Sequence, residues 1–211
     1  KIVLKEEWMV GFITTWIVGL LAHAYRFFNF LPIWDSIYNF TGVGSTYTLG
    51  RWFLGYAGLI TSMFDLPWVN GAFSLFYISI VVILLTEMFE IKNKGMIVLC
   101  AAIFVSFPTV VSSFAYMYTA DAYLLAFLLA TLAVYLTWCV KKWGTIAGMV
   151  CLAFAMGIYQ AYATVAIVLV LLYIIRQFVI EKLDFLEAVR KDLKYLGMLV
   201  GGAVLYAVIL K

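Results

Sequence analysis

Apolar runs, more of them than a water-soluble domain could bury, set the limits on what this chain can fold into. Seven stretches carry almost no charge: roughly Trp8–Phe28, Val69–Phe89, Met96–Val111, Ala122–Cys139, Trp143–Gly157, Ala161–Phe178 and Tyr195–Leu210. A helix rising about 1.5 Å per residue needs about 20 apolar residues to cross a hydrocarbon layer of about 30 Å. In lipid a helix also satisfies its own backbone hydrogen bonds, which an open sheet or loop cannot do. The pattern predicts an all-α fold, a polytopic transmembrane helix bundle of about seven spans that forms one transmembrane domain over residues 1–211. The third, fifth and seventh stretches are short, so either flanking residues extend them or they do not cross fully. A mean hydropathy of +1.07, with 66% hydrophobic and 12% charged residues, excludes an ordinary soluble domain. The first run is long enough to span, so it does not read as a cleavable signal peptide. Lys211 follows directly on an apolar stretch, and the chain reads as the N-terminal part of a longer protein.

The few charges are distributed unevenly. With the N-terminus on the inner side, the inner segments hold Lys1, Lys5, Lys92, Lys94, Lys141, Lys142, Arg176, Lys182, Arg190, Lys191 and Lys194, eleven of the fourteen basic residues. Arg26, Arg51 and Lys211 remain outside. Basic residues stay on the cytoplasmic side, so this bias predicts the orientation. The same topology puts Asp35, Asp65 and Asp121 together on the outer side of the cytoplasmic membrane. A net charge of +3 spread in this way implies a lipid bilayer as partner and no nucleic acid. Cys100, Cys139 and Cys151 lack metal-ligand spacing and read as small hydrophobes. A lone His23 cannot build a histidine metal cluster and fills a polar gap between helices.

Two segments do not span. The first outer loop, residues 29–68, is too long for a turn. In its second half, Ser45–Phe64, the residues Leu49, Trp52, Phe53, Tyr56, Leu59, Ile60 and Met63 recur at helical spacing opposite Thr48, Arg51, Gly55 and Ser62. That pattern predicts a helix lying in the outer interface. On the inner side, residues 179–194 alternate Val179, Leu183, Leu186, Val189 and Leu193 with charged residues, and read as an amphipathic connector.

The outer residues are the candidates for chemistry, because isolated carboxylates beside apolar spans need a binding, catalytic or capping reason. Asp35 follows Pro32, which turns the chain as it leaves the membrane. Between Trp34 and Ile37 its carboxylate would be partly desolvated and a stronger proton acceptor, although a loop or helix-capping role fits the spacing equally. Asp121 stands among Tyr116, Tyr118 and Tyr123. It suits either an N-cap for the fourth span, a role also open to Thr119, or a sugar-binding wall, since ring faces pack on the C–H faces of pyranoses. Arg51 and Arg26 suit bidentate contact with a lipid phosphate, or snorkelling. Asp65 precedes Leu66-Pro67 and marks a turn. Tyr159-Gln160 joins two spans at the outer edge, as a tight polar connection or as a hydrogen-bonding site for an acceptor.

The run Gly44-Ser45-Thr46-Tyr47-Thr48-Leu49-Gly50-Arg51-Trp52, then Pro108-Thr109, Tyr116 to Asp121 and Gly157 to Tyr162, resembles the bacterial and phage O-antigen glucosyltransferase family. That family belongs to the membrane-embedded GT-C glycosyltransferases. The resemblance implies transfer of a glucosyl or related hexosyl residue from an undecaprenyl-phosphate-linked sugar donor to a glycan or lipid-linked glycan acceptor, with inversion at the anomeric carbon. It implies an acid in the first outer loop, a position Asp35 matches, and a second acidic site, matched by Asp121. On that reading Asp35 is the catalytic base. Arg51, and after it Arg26, compensates the phosphate charge. Asp121, Tyr118, Tyr159 and Gln160 contact substrate, and Asp121 is the point at which a divalent cation could be held, although nothing compels a metal. The alternatives are a transporter or flippase of lipid-linked sugars, and a non-catalytic membrane subunit in which the acids only cap helices. Transporters place coupling charges near the bilayer midplane, whereas these acids cluster at one face.

Overall fold

The computed structural model describes residues 5–38, 49–61, 64–182 and 184–211, and all regular structure among them is helical. Helix α1, Glu6–Phe28, opens with Glu6 and Glu7 and closes with Arg26, charges that match the two ends of the helix dipole. After the short α2 (Trp34–Tyr38) and α3 (Leu54–Ala57), α4 runs Pro67–Met88 with proline in its first turn, where no N–H is missed. Helix α5, Lys94–Ser106, is capped by the Asn93 side chain, which accepts from the Met96 N–H at 3.1 Å. It stops because Pro108 forces Phe107 out of the helical region, to φ −63° and ψ 139°. Helix α6, Pro108–Ser113, and a 3₁₀ turn, Phe114–Tyr116, lead into α7, Met117–Cys139. Helices α8 (Gly144–Ile158), α9 (Ala163–Arg176) and α10 (Phe185–Leu210) complete the chain.

Side-chain neighbours fix the direction of each rod. Gly11 lies against Val82 and Ile97, and Gly19 against Leu75 and Val105, so α1 runs antiparallel to α4 and parallel to α5. Asn70 bonds Asp121 near the starts of α4 and α7 while Met88 packs with Ala130, Ala133 and Val134 near their ends, so α4 and α7 run parallel and the chain reverses between α5 and α7 at residues 107–116. Gly148 abuts Ala133 and Thr137 of α7 and Met198 of α10, and Gly202 abuts Leu152. These rods alternate in direction and leave two unlike ends. At one end sit the ion pairs Lys5–Glu87, Lys94–Glu6, Arg176–Glu90 (3.0 Å), Arg176–Glu181 (2.9 Å) and Lys191–Glu181 (3.2 Å). At the other end lie Arg26, Asp35, Arg51 and Asp121, and all three prolines, Pro32, Pro67 and Pro108, stand at or near helix starts there.

Among the described residues, five segments are long and apolar enough to cross a membrane: Glu6–Phe28, Pro67–Met88, Lys94–Cys139, Gln160–Glu181 and Arg190–Leu210. The third and fourth expected spans fall inside the 46-residue Lys94–Cys139 segment, and the fifth, Gly144–Ile158, is a shorter apolar helix. The inner connector expected over 179–194 is not a separate element. A π-helical turn, Gln177–Glu181, and a left-handed Lys182 (φ 52°) precede α10, which then runs unbroken from Phe185. Within it Leu186 and Leu193 point outward, whereas Ala188, Asp192 and Tyr195 are buried, so its amphipathic half continues the same packed rod; Leu183 lies outside the described residues.

The expected interfacial helix over Ser45–Phe64 is interrupted where it is described, and residues 45–48 and 62–63 lie outside that range. Leu49 and Gly50 form a turn, with Gly50 at φ 78°, and helix is limited to Leu54–Ala57 and a 3₁₀ turn, Gly58–Ile60. Tertiary contacts explain the interruption. The Phe53 N–H donates to the Gly157 carbonyl at 2.8 Å, Trp52 packs on Gly157, and Leu54 and Ala57 are buried against Ala122, Ala126 and Ile158.

Close approach of α7, α8 and α10 depends on residues without side chains. A Cβ at Gly148 would stand 2.6 Å from the Ala133 carbonyl oxygen, an atom of a helix backbone that cannot move aside cheaply. Gly148→Val should therefore destabilise the bundle by about 1–3 kcal/mol through overpacking, read as a lower midpoint of thermal unfolding in detergent. Gly197→Ala is the control, because nothing lies within 4 Å of its Cβ position and helix propensity improves.

Candidate functional site

Helix α5 packs on α4, α4 on α7, and α7 on α9. Helices α4 and α7 thus form the back of a trough whose side walls are α5 with α6 on one side and α9 on the other. The cavity has a volume of about 1160 Å³, larger than the about 300–1,000 Å³ of most small-molecule sites. Its composition changes along its length. At the end with the prolines it is lined by Asp35, Arg51, Tyr116, Tyr118, Tyr123 and Tyr159, with Thr109, Ser112 and Ser113 beside them. Towards the ion-paired end the lining becomes Phe127, Ile103, Val168, Leu169 and Leu172, ending near Phe89, Ile91 and Cys100. A polar, aromatic mouth above an apolar trough is shaped for an amphiphile.

Arg51 occupies the mouth on a turn, not on a helix. Its guanidinium carbon lies 4.5 Å from the centre of the Tyr159 ring, a stacked cation–π arrangement. Tyr159 in turn meets Tyr123 at 5.6 Å, and Tyr123 meets Tyr162 at 6.3 Å. The Arg51 Nε is buried without a hydrogen-bond partner, and the residue itself lines the cavity. Asp35 lies in the first turn of α2 and is exposed. The desolvation expected from Trp34 and Ile37 is not found. Ser36 is the residue of that turn facing the protein, with its hydroxyl bonded to Ile33 at 2.8 Å (carbonyl) and 3.0 Å (N–H), and Trp34 and Ile37 point outward. Asp35 and Arg51 are both within electrostatic reach of the Tyr118 hydroxyl, so the sequence candidates Asp35, Arg51, Tyr118 and Tyr159 gather at one mouth.

The other candidates stand apart from it. Asp121 is only 2% exposed and does not line the cavity. It lies within α7, not at its cap, since the helix already begins at Met117. Its oxygens accept from Thr61 Oγ1 and Asn70 Nδ2, each at 3.1 Å, and Asn70 Oδ1 accepts from the Leu66 N–H at 2.9 Å. This carboxylate ties the outer loop to α4 and α7. With both oxygens so engaged it does not fit a cation site, and among the described residues no group of three His, Cys, Asp or Glu side chains could hold a metal. Arg26 is also engaged. Its Nε donates to the Phe114 carbonyl at 2.8 Å, one NH₂ to Ala115 at 3.0 Å and the other to Leu31. His23, 4% exposed, bonds the Val105 carbonyl at 2.9 Å. Gln160 is likewise absent from the cavity lining. Its Nε2 donates to the Leu49 carbonyl at 2.8 Å and to the Tyr206 hydroxyl at 2.9 Å. Asp65 is half-buried with neither carboxylate oxygen hydrogen-bonded.

Sequence reasoning did not find Thr61, Asn70 or Tyr206. A polar residue on an otherwise apolar helix was the available signal for Asn70 and Tyr206, and Thr61 carried none.

Helices of this length and apolarity make the chain a membrane-embedded protein. Over residues 24–211 it matches the family model described as glucosyl transferase GtrII, and the chain belongs to that family of O-antigen glucosylation. No curated protein and no solved structure matches it.

The buried Asp121 node has a measurable consequence. Asp121→Ala would leave the Thr61 and Asn70 donors unpaired in a dry site, which costs roughly 1–3 kcal/mol. Its thermal midpoint in detergent should fall, whereas that of Asp35→Asn, at an exposed position, should stay at the wild-type value.

Proposed function

We propose that the chain is a GT-C-type, polyprenyl-phosphate-sugar-dependent hexosyltransferase. It moves a glucosyl residue from an undecaprenyl-phosphate carrier to a surface glycan such as O-antigen, with inversion, on the outer side of the cytoplasmic membrane. The observation that carries this reading is the trough with Asp35, Arg51 and tyrosines at its mouth and an aliphatic and aromatic lining below. A carrier lipid presents the same sequence of chemistries, a sugar, then a phosphate, then a long hydrocarbon tail. On this reading all seven rods cross the bilayer, the ion-paired end faces inward and the outer loop lies at the opposite interface.

The chemistry follows from the mouth. The acceptor hydroxyl attacks the anomeric carbon while Asp35 takes its proton, a new glycosidic C–O bond forms, and the bond from the anomeric carbon to the phosphate oxygen breaks. The polyprenyl phosphate leaves with the electron pair. Arg51 is assigned to the charge on that phosphate, because a planar guanidinium presents paired donors and Arg51 lines the mouth beside Asp35. Tyr118, Tyr123 and Tyr159 form the sugar wall. Arg26, bound to three carbonyls, holds the mouth in shape and leaves the phosphate to Arg51. Asp121 acts from behind it through Thr61 and Asn70.

Asp35→Asn should lower transfer by about a hundred- to ten-thousand-fold in a purified assay with polyprenyl-phosphate glucose, since an amide cannot accept the proton. Wild-type turnover by a folded Asp35→Asn protein would remove Asp35 from the mechanism. Arg51→Lys should raise the donor KM, because an ammonium cannot grip two oxygens in one plane. In a cysteine-free background, a membrane-impermeant thiol reagent applied from outside should label a cysteine at position 35 and spare one at position 141. The reverse pattern would invert the topology and the mechanism with it.

A further inference from the structure

The turn that carries Arg51 is held by a closed set of hydrogen bonds from two distant parts of the chain. Gln160 Nε2 spends one hydrogen on the Leu49 carbonyl (2.8 Å) and the other on the Tyr206 hydroxyl (2.9 Å). Tyr206 passes its own hydrogen to the Gly50 carbonyl at 3.0 Å. Both donors of the amide, and the donor and one acceptor position of the phenol, are thereby used. Gly50 permits this closeness. Its φ is 78°, and a Cβ there would fall 2.4 Å from the Tyr206 hydroxyl and 2.5 Å from Gln160 Nε2. Beside the clamp, Tyr159, the residue preceding Gln160, lies against the Arg51 guanidinium at 4.5 Å. One corner of the chain therefore supplies both the ring on which Arg51 rests and the amide that holds its backbone, while α10 supplies the lock.

We propose that Gln160 and Tyr206 are positioning residues that fix the Arg51 guanidinium over Tyr159 and hold it towards an anionic phosphate in the cavity mouth. Neither touches the ligand, since neither lines the cavity. The inference rests on the reading that Arg51 binds the phosphate of the carrier lipid, and it adds the device that makes that contact selective. Without the clamp the Leu49–Gly50 turn is free to move, and Arg51 must be ordered when the ligand binds.

The test measures Kd for undecaprenyl phosphate and for undecaprenol, its phosphate-free counterpart, on the purified chain in detergent. Tyr206→Phe keeps the ring but removes the hydroxyl. The preference for undecaprenyl phosphate should fall about three- to tenfold, the worth of a hydrogen bond or two, with undecaprenol binding and the thermal midpoint held. Gln160→Leu should behave alike, and Gly50→Ala should exceed both if it folds. In an Arg51→Ala background, Tyr206→Phe should change nothing further, because the clamp acts only through that arginine. If Arg51→Ala leaves the phosphate preference intact, the phosphate reading fails and the clamp with it. If Arg51→Ala abolishes the preference but Tyr206→Phe and Gln160→Leu do not lower it, the positioning proposal alone is wrong. Effects of Tyr206→Phe that persist in full without Arg51 would also overturn it.

Discussion

A break in a helix frees carbonyl groups of their partners within the helix, and this bundle depends on how it satisfies them. The chain bends back on itself between α5 and α7, around Phe107-Pro108 and the 3₁₀ turn at residues 114–116. Arg26 takes the carbonyls of Phe114 and Ala115, and the buried His23 takes that of Val105, all from α1. An arginine with several fixed donors suits this task, because each unsatisfied carbonyl in an apolar setting is expensive. The bend they stabilise is the upper wall of the cavity, so the first helix shapes the site without entering it.

The two ends of the bundle use polar groups differently. The ion pairs around Glu87, Glu90 and Glu181 are partly exposed, with Arg176 the most covered partner, and they mark the boundary at that end. At the opposite end some polar groups are enclosed in closed networks, as with Asp121, Thr61 and Asn70, and others line the cavity, as with Asp35 and Arg51. That contrast separates groups that hold the fold from groups available to a ligand.

Hydropathy made the positions of the long helices legible, because burial in lipid acts on every residue of a span. The family was legible in the order of short polar and aromatic motifs along the chain. Other features were hidden because they depend on long-range contacts. The helical spacing of Leu49 to Ile60 is real, yet the hydrogen bond from Phe53 to Gly157 and the seating of Trp52 override it, and helix survives only from Leu54 onward. Arg26 and Arg51 look alike as outer arginines. One has three carbonyls waiting for it from residues 31, 114 and 115, and the other has an aromatic ring and a free donor. Asp121 stood out for its charge among tyrosines, and nothing in its local sequence shows that Thr61 and Asn70 close over it. Asp35 and Asp121 are both aspartates beside aromatic residues, and only the fold exposes one and buries the other.

The placement of the three prolines at the cavity end bears on the unfolded chain as much as on the folded one. Each fixes its own φ and narrows the choices of the residue before it, at Leu31, Leu66 and Phe107. The segments that carry the mouth are those whose ordering costs most, since they lie in loops and short turns and not in long self-supporting rods. Restricting them in advance lowers the conformational entropy lost when they settle. A membrane protein whose three cysteines are all free thus reaches, by ring closure within single residues, part of the stiffness that a secreted protein draws from cross-links.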